Sequence, residues 1–176
     1  MRAQGPEYVQ YFSTDTMEEE IKRDRRVTWL VEFYAAWKPA CVDFASVFSR
    51  LSADFALDNL KFAKVDVTRH SKLAERFRVN PTSFSRQLPT LILFQNGREA
   101  MRRPQIDHQN KPIGKFIATR ENVVSVFNLN DVYYQCKKNP IKKRTHKDDD
   151  VTSASVDDAN TAGGDSVDAP ETKKEQ

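Results

Sequence analysis

An α/β fold with a mixed central sheet and helices on both faces is predicted by three features of this 176-residue sequence. Short apolar runs of strand length alternate with segments whose apolar residues recur every three or four positions. Asn96-Gly97 separates two strand-like runs, the strongest short signal for a hairpin and so for one antiparallel pair. The other strands are separated by helix-length segments, and such crossovers lay helices over parallel strands. The length suits one domain of about 100 to 150 residues plus a tail.

Taken in order, Tyr8 to Phe12 can form a short strand. Asp15 with Glu18 resembles a capping box for a helix to about Arg23. Val27 to Tyr34 reads as a buried strand with one internal acid, Glu32. Pro39 suits the first position of a helix, and Phe44, Phe48, Leu51 and Phe55 give that helix one apolar face to about Ala56. Leu60 to Val67 alternates as a strand, His70 to Arg78 is a short helix, and Asn80 to Arg86 is an irregular loop. Leu88 to Gln95 and Arg98 to Arg103 are the hairpin strands. After a polar loop, Thr119 can cap a helix bearing Val123, Val124 and Phe127, with a second segment continuing after Asn130 to Lys138. The expected order is βαβαβαββα, in a domain over residues 1–138 with its core at about 8–136.

The remainder, 139–176, reads as a basic linker and an acidic tail. Residues 1–144 carry 25 Lys/Arg against 16 Asp/Glu, and residues 145–176 carry 3 against 9, so a mild overall +3 conceals a basic body. The tail has no aromatic residue and cannot bury enough apolar area to offset its ordering entropy, so it is expected to be disordered. No aromatic residues interleave with the cations of the linker, which argues against nucleic acid. Two cysteines, Cys41 and Cys136, are too few for a disulfide-stapled secreted domain and lack the paired spacing of a zinc site. The three histidines are scattered singly, so neither a metal nor another cofactor is expected. No apolar run reaches the roughly 18 residues of a membrane span, and the N-terminus has no secretory apolar region, so the chain as written is expected to be soluble.

The chemistry concentrates in VEFYAAWKPAC, residues 31–41: a buried strand containing an acid, then a tryptophan, then a cysteine in the first turn of a helix. QLPTLILF later places Pro89 at the start of another strand. This pairing resembles the thioredoxin family, with its strand, Trp-Cys-x-x-Cys, helix, and later cis-proline, over roughly residues 8 to 136. The resemblance implies the thioredoxin fold, a resolving position for Cys41, a proton-accepting role for Glu32, and a cis Pro89. It also implies a surface at Trp37, Pro39, Leu88 and Pro89 that holds an extended polypeptide.

The sequence departs from that pattern at the decisive place. Lys38 stands where the family has its attacking cysteine. Dithiol exchange needs one thiolate to attack a disulfide and a second to release the mixed disulfide, so ordinary turnover is not expected. Nothing places Cys136 within bridging distance of Cys41. Two readings of Cys41 stay open: a half-buried packing residue, or a lone reactive thiol. Lys38 and a helix N-terminus favour the thiolate in the second case. Glu32, an acid in an apolar strand, should have a raised pKa, either as a base near neutrality or as a satisfied buried group. The loop Asn80 to Gln87 either shields or extends the site, with Phe84 as its one apolar contact candidate, or is an inert insertion.

GPEYVQYF, VTWLVEFYAAW, RQLPTLILFQNG and EAMRRPQID together are similar to a thioredoxin-related transmembrane branch of the family, which also lacks the first cysteine. That resemblance implies anchoring in the endoplasmic reticulum membrane by segments preceding the domain. Lys173-Lys174 near the end resembles a dilysine retrieval signal, which would put the domain on the cytosolic side; a complete chain without those segments would instead be soluble and cytoplasmic. The expected activity is that of a redox-responsive interaction module working on protein partners or client disulfides, with a homodimer through Cys41 as one form. The alternatives are a monothiol oxidoreductase using Cys41 and a redox-silent peptide-binding scaffold.

Overall fold

A computed structural model describes residues 8–142. The expectations for the acidic tail and for Lys173-Lys174 fall outside the described residues. Within them the chain runs β1 (Val9–Phe12), α1 (Met17–Arg23), β2 (Thr28–Tyr34), α2 (Pro39–Phe55), β3 (Leu60–Asp66) and α3 (Ser71–Arg76). The second half is β4 (Thr90–Gln95), β5 (Arg98–Arg103), β6 (Gln105–Ile106), β7 (Pro112–Ile113), α4 (Arg120–Val126) and α5 (Leu129–Lys138).

The main sheet has the order β1-β3-β2-β4-β5. β3 is parallel to both β1 and β2, while β4 is antiparallel to β2 and β5. β2 is therefore central, which explains its apolar composition on both faces. Trp29, Val31 and Phe33 point into a cluster with Met17 and Ile21 of α1 and Leu73 and Ala74 of α3. Leu30, on the other face, joins Phe44, Phe48 and Leu51 of α2 and Val123, Phe127 and Leu129 of α4 and α5. The result is three layers with two cores, each continuous across one face of the sheet. The sheet carries the fold by burying large side chains such as Phe48 and Phe62, each worth about 2 kcal/mol.

The hairpin forms as the dipeptide dictates: Asn96 and Gly97 both adopt positive φ, 55° and 75°, as a tight primed turn requires. Thr119 caps α4, its hydroxyl accepting from the Asn122 amide at 3.2 Å. Three local expectations are corrected. α1 begins at Met17 with Thr16 as its N-cap, and no Asp15–Glu18 box forms, because the Thr16 hydroxyl accepts from the Ser13 amide in the preceding turn. α5 starts at Leu129, since Asn128 takes the left-handed conformation and restarts the helix there. The polar loop contains the small β6–β7 hairpin, whose two-residue strands are too short to leave a period in the sequence.

Arg102 is the polar fastener of this architecture. It lies on the outer strand β5 yet is buried, donating from Nη1 to the Phe77 carbonyl at 2.7 Å and pairing with Glu99. It thereby ties β5 to the end of α3. Arg102→Met keeps the volume but leaves the Phe77 carbonyl without its donor, and is expected to lower stability by about 2–3 kcal/mol. Urea unfolding of the two proteins measures this; a midpoint unchanged from wild type would show the pair to be a surface ornament.

Candidate functional site

The site forms where β2 ends and α2 begins. Past Tyr34 the chain turns through Ala35 to Trp37, and Lys38, with extended backbone angles of −81° and 120°, is the N-cap of α2. Pro39 occupies the first helical position, where its missing N–H costs nothing. The amides of Cys41 and Val42 both donate to the Lys38 carbonyl at 3.0 Å, which fixes Cys41 in the first turn. Because Phe33 is paired with Thr90, the Leu88–Pro89 step lies beside this junction. That peptide bond is cis, and a second cis bond, not anticipated, precedes Pro104. Leu88 lies ahead of the β2–β4 ladder, so its backbone groups are not engaged in it. The structure thus brings Trp37, Lys38, Pro39, Cys41, Leu88 and Pro89 to one end of the sheet.

Cys41 is only 3 % exposed. Burial pushes its thiol up to about 11, against a smaller lowering by a backbone hydrogen bond at Ala35; the Glu32 charge raises it further, and Lys38 and Lys64 oppose weakly. Burial thus favours the reading of Cys41 as a packing residue over that of a lone reactive thiol. Desolvation outweighs the Lys38 charge, whose ammonium donates to the Ser85 carbonyl at 3.0 Å. At neutral pH Cys41 is a thiol.

Glu32 lies beneath α2 in the middle of β2, between Lys64 of β3 and Leu91 of β4. It is 1 % exposed, and its Oε2 has no hydrogen-bond partner among the described residues. Burial raises its carboxyl to about 7, with the Lys64 charge opposing. Lys64 is itself buried, its ammonium 5.3 Å from the Tyr34 ring centroid and 6.0 Å from that of Phe48. Sequence reasoning missed Lys64, because alternation in FAKVDV reads it as a solvent-facing position; its register opposite Glu32 appears only once strands are paired.

Cys136 lies elsewhere. Its Sγ is 3.6 Å from the Asn59 carbonyl oxygen, and it borders a cavity of about 530 Å³ shared with Arg26, Asn59, Gln135 and Ile141, which also reaches Thr28 at the start of β2. Cys41 is at the other end of that strand. Both sulfurs are free.

The Asn80–Gln87 loop adjoins the site through the Lys38–Ser85 bond, and Phe84, its apolar contact candidate, is 93 % exposed and takes no part in holding the loop there. The loop is anchored instead by two buried polar residues that sequence reasoning passed over, Ser85 and Gln87. A polar residue inside a loop gives no sign of burial until its hydrogen-bond partners are in place.

A family model described as Thioredoxin matches residues 8–119. Among curated proteins, thioredoxin-related transmembrane protein 2-B of Danio rerio is 39 % identical over 173 residues, covering 98 % of this chain and 56 % of that protein. The thioredoxin-related transmembrane protein 2 homolog of Drosophila melanogaster is 48 % identical over 130 residues, 73 % of this chain and 48 % of its own length. The chain thus spans about half the length of these relatives. Among solved structures, the thioredoxin NaTrxh from Nicotiana alata superposes with a TM-score of 0.51 at 19 % identity, covering 78 % of this chain and 97 % of its own. At that identity the likeness concerns the fold alone.

Proposed function

This chain belongs to the thioredoxin family and is similar over most of its length to members named thioredoxin-related transmembrane protein 2; from that premise we propose that it is an interaction module that has given up dithiol exchange. The observation that carries this reading is Lys38 at the head of α2, where exchange needs a sulfur, with Cys41 alone and buried behind it. Trp37 and Pro39 are exposed while Leu88 and Pro89 are buried beside them, and an extended polypeptide held by the Leu88 backbone and the Trp37 ring needs no sulfur, because backbone pairing and side-chain contact suffice.

Cys41 enters chemistry only as a single thiol. Once deprotonated, its sulfur attacks a disulfide of a client, forming one S–S bond and expelling one client thiolate; no second sulfur follows to release the product. The module is in this sense redox-responsive without being a turnover catalyst. The relatives' names place such proteins in a membrane, and we assign this one to the endoplasmic reticulum membrane with the domain facing the cytosol, on the resemblance of its motifs and of Lys173-Lys174. No helix among the described residues is long and apolar enough to cross a membrane. A second reading, a monothiol oxidoreductase resolved by external thiols, draws support from Glu32, a carboxyl near 7 whose charge Cys41 feels.

Two measurements on the purified chain separate these. Disulfide reduction is expected at background, and alkylation of Cys41 at neutral pH about tenfold slower than for an unperturbed thiol: the thiolate fraction falls about a hundredfold with a rise from 9.0 to about 11, and the more basic thiolate is about tenfold the better nucleophile. Turnover above background that vanishes in Cys41→Ser would select the monothiol enzyme instead.

A further inference from the structure

Lys38 does more than stand in place of a sulfur. Its bond to the Ser85 carbonyl joins the head of α2 to a loop that is itself built. Gln87, 1 % exposed, closes that loop: its Nε2 donates to the Arg78 carbonyl at 3.0 Å and its Oε1 accepts from the Asn80 amide at 2.7 Å. Inside, the Asn80 side chain accepts from the Thr82 amide at 2.9 Å, the Ser85 amide donates to the Thr82 carbonyl at 3.0 Å, and the Gln87 amide donates to the Ser85 hydroxyl at 3.1 Å. A loop so bonded has little conformational freedom left to lose on binding.

This fixed loop presents Phe84 to solvent. Phe84 immediately precedes Ser85, and the half-exposed Trp37 immediately precedes Lys38, so the Lys38–Ser85 bond brings together the chain positions of two exposed rings. Aromatic side chains on pre-ordered backbone are the usual anchors of protein recognition. The charged residues within 33–42 and 76–89 are Lys38, Arg76, Arg78 and Arg86, and the acids that adjoin these segments, Asp43 and Glu75, belong to the helices α2 and α3. Arg76 is paired with Glu18, which leaves Arg78 and Arg86, both exposed, beside the loop.

We propose that Phe84 and Trp37, rimmed by Lys38, Arg78 and Arg86, form a docking surface for an acidic peptide segment carrying an aromatic or large apolar side chain. Lys38 and Gln87 are positioning residues that hold the loop in place. The proposal rests on the interaction-module reading and names the partner's chemistry. Association is steered by opposite charge and weakens with salt.

The test uses the whole chain and a labelled twelve-residue peptide with a central Phe flanked by Asp and Glu, against the same peptide with Lys at those positions. The acidic peptide is expected to bind at least tenfold more tightly in fluorescence anisotropy. Phe84→Ser, at a fully exposed position that folding does not need, should weaken it fivefold or more. Lys38→Met should do the same, with Lys38→Arg restoring affinity to within twofold. Gln87→Ala should weaken binding while speeding amide exchange at 82–86. Equal affinity for the two peptides, indifference to Phe84→Ser, or Phe84-dependent binding to vesicles of mixed phosphatidylcholine and phosphatidylserine but not to the peptide would overturn the proposal. Its failure is distinct from failure of the parent reading: that reading falls if the wild type turns over disulfides, whatever the peptides do.

Discussion

Lys38→Cys is expected to convert a chain with background activity into one that reduces disulfides with turnover. The substitution creates Cys-Pro-Ala-Cys at the head of α2, with the new sulfur at the N-cap and Cys41 three residues on. A cysteine at such a terminus has a pKa near 7, so about half of it is thiolate at neutral pH. Cys41, at about 11, is ionised to only about one part in ten thousand. The lower-pKa thiolate is intrinsically the weaker nucleophile, by about a hundredfold over that span, so the net gain in attack is about two orders of magnitude. Cys41 would then perform the release step. Steady-state disulfide reduction with Lys38→Cys and with Lys38→Cys/Cys41→Ser, each with dithiothreitol present to return the oxidised pair to the dithiol and with its uncatalysed rate subtracted, measures both steps. A folded single variant that stays at background would mean that the two positions do not face one another as this helix start requires.

Glu32→Gln is expected to stabilise the protein by about 3 kcal/mol at pH 8 and to leave it nearly unchanged at pH 4. A carboxyl whose pKa rises from 4.5 unfolded to about 7 folded binds its proton more tightly in the native state. The stabilisation from that proton is complete below about pH 4.5 and is lost as pH climbs through 7, because the unfolded chain releases its proton first. The full difference, at about 1.4 kcal/mol per unit, gives the figure above. Guanidinium unfolding from pH 4 to 8.5 should show wild-type stability falling with pH and the variant flat across the same window. A wild-type curve without that fall would mean that Lys64 neutralises Glu32 more fully than burial opposes it. The cost at neutral pH marks Glu32 as a residue that folding alone does not favour.

Long elements could be read from the sequence because their patterns are local. α2 announces itself through Phe44, Phe48, Leu51 and Phe55, and β2 through an unbroken apolar run, and both appear within a residue of the expected bounds at most points. Asn96-Gly97 fixed the hairpin from two letters. What stayed hidden depends on partners distant in sequence. The desolvation that keeps Cys41 protonated is contributed by neighbours that the first-turn geometry does not name. Lys64 meets Glu32 only through strand register, and Gln87 meets Arg78 and Asn80 only when the loop closes. Lys38 read as a charge near a sulfur, while its ammonium points to a carbonyl 47 residues away.

The two sulfurs flank the same central strand at its two ends, Cys41 in the first turn of α2 beyond Tyr34 and Cys136 on α5 beside Thr28. A thiol-labelling reagent therefore finds in this molecule two native reporters, one on each helix, and the order in which they take up label during partial denaturation records whether α2 or α5 lifts away first.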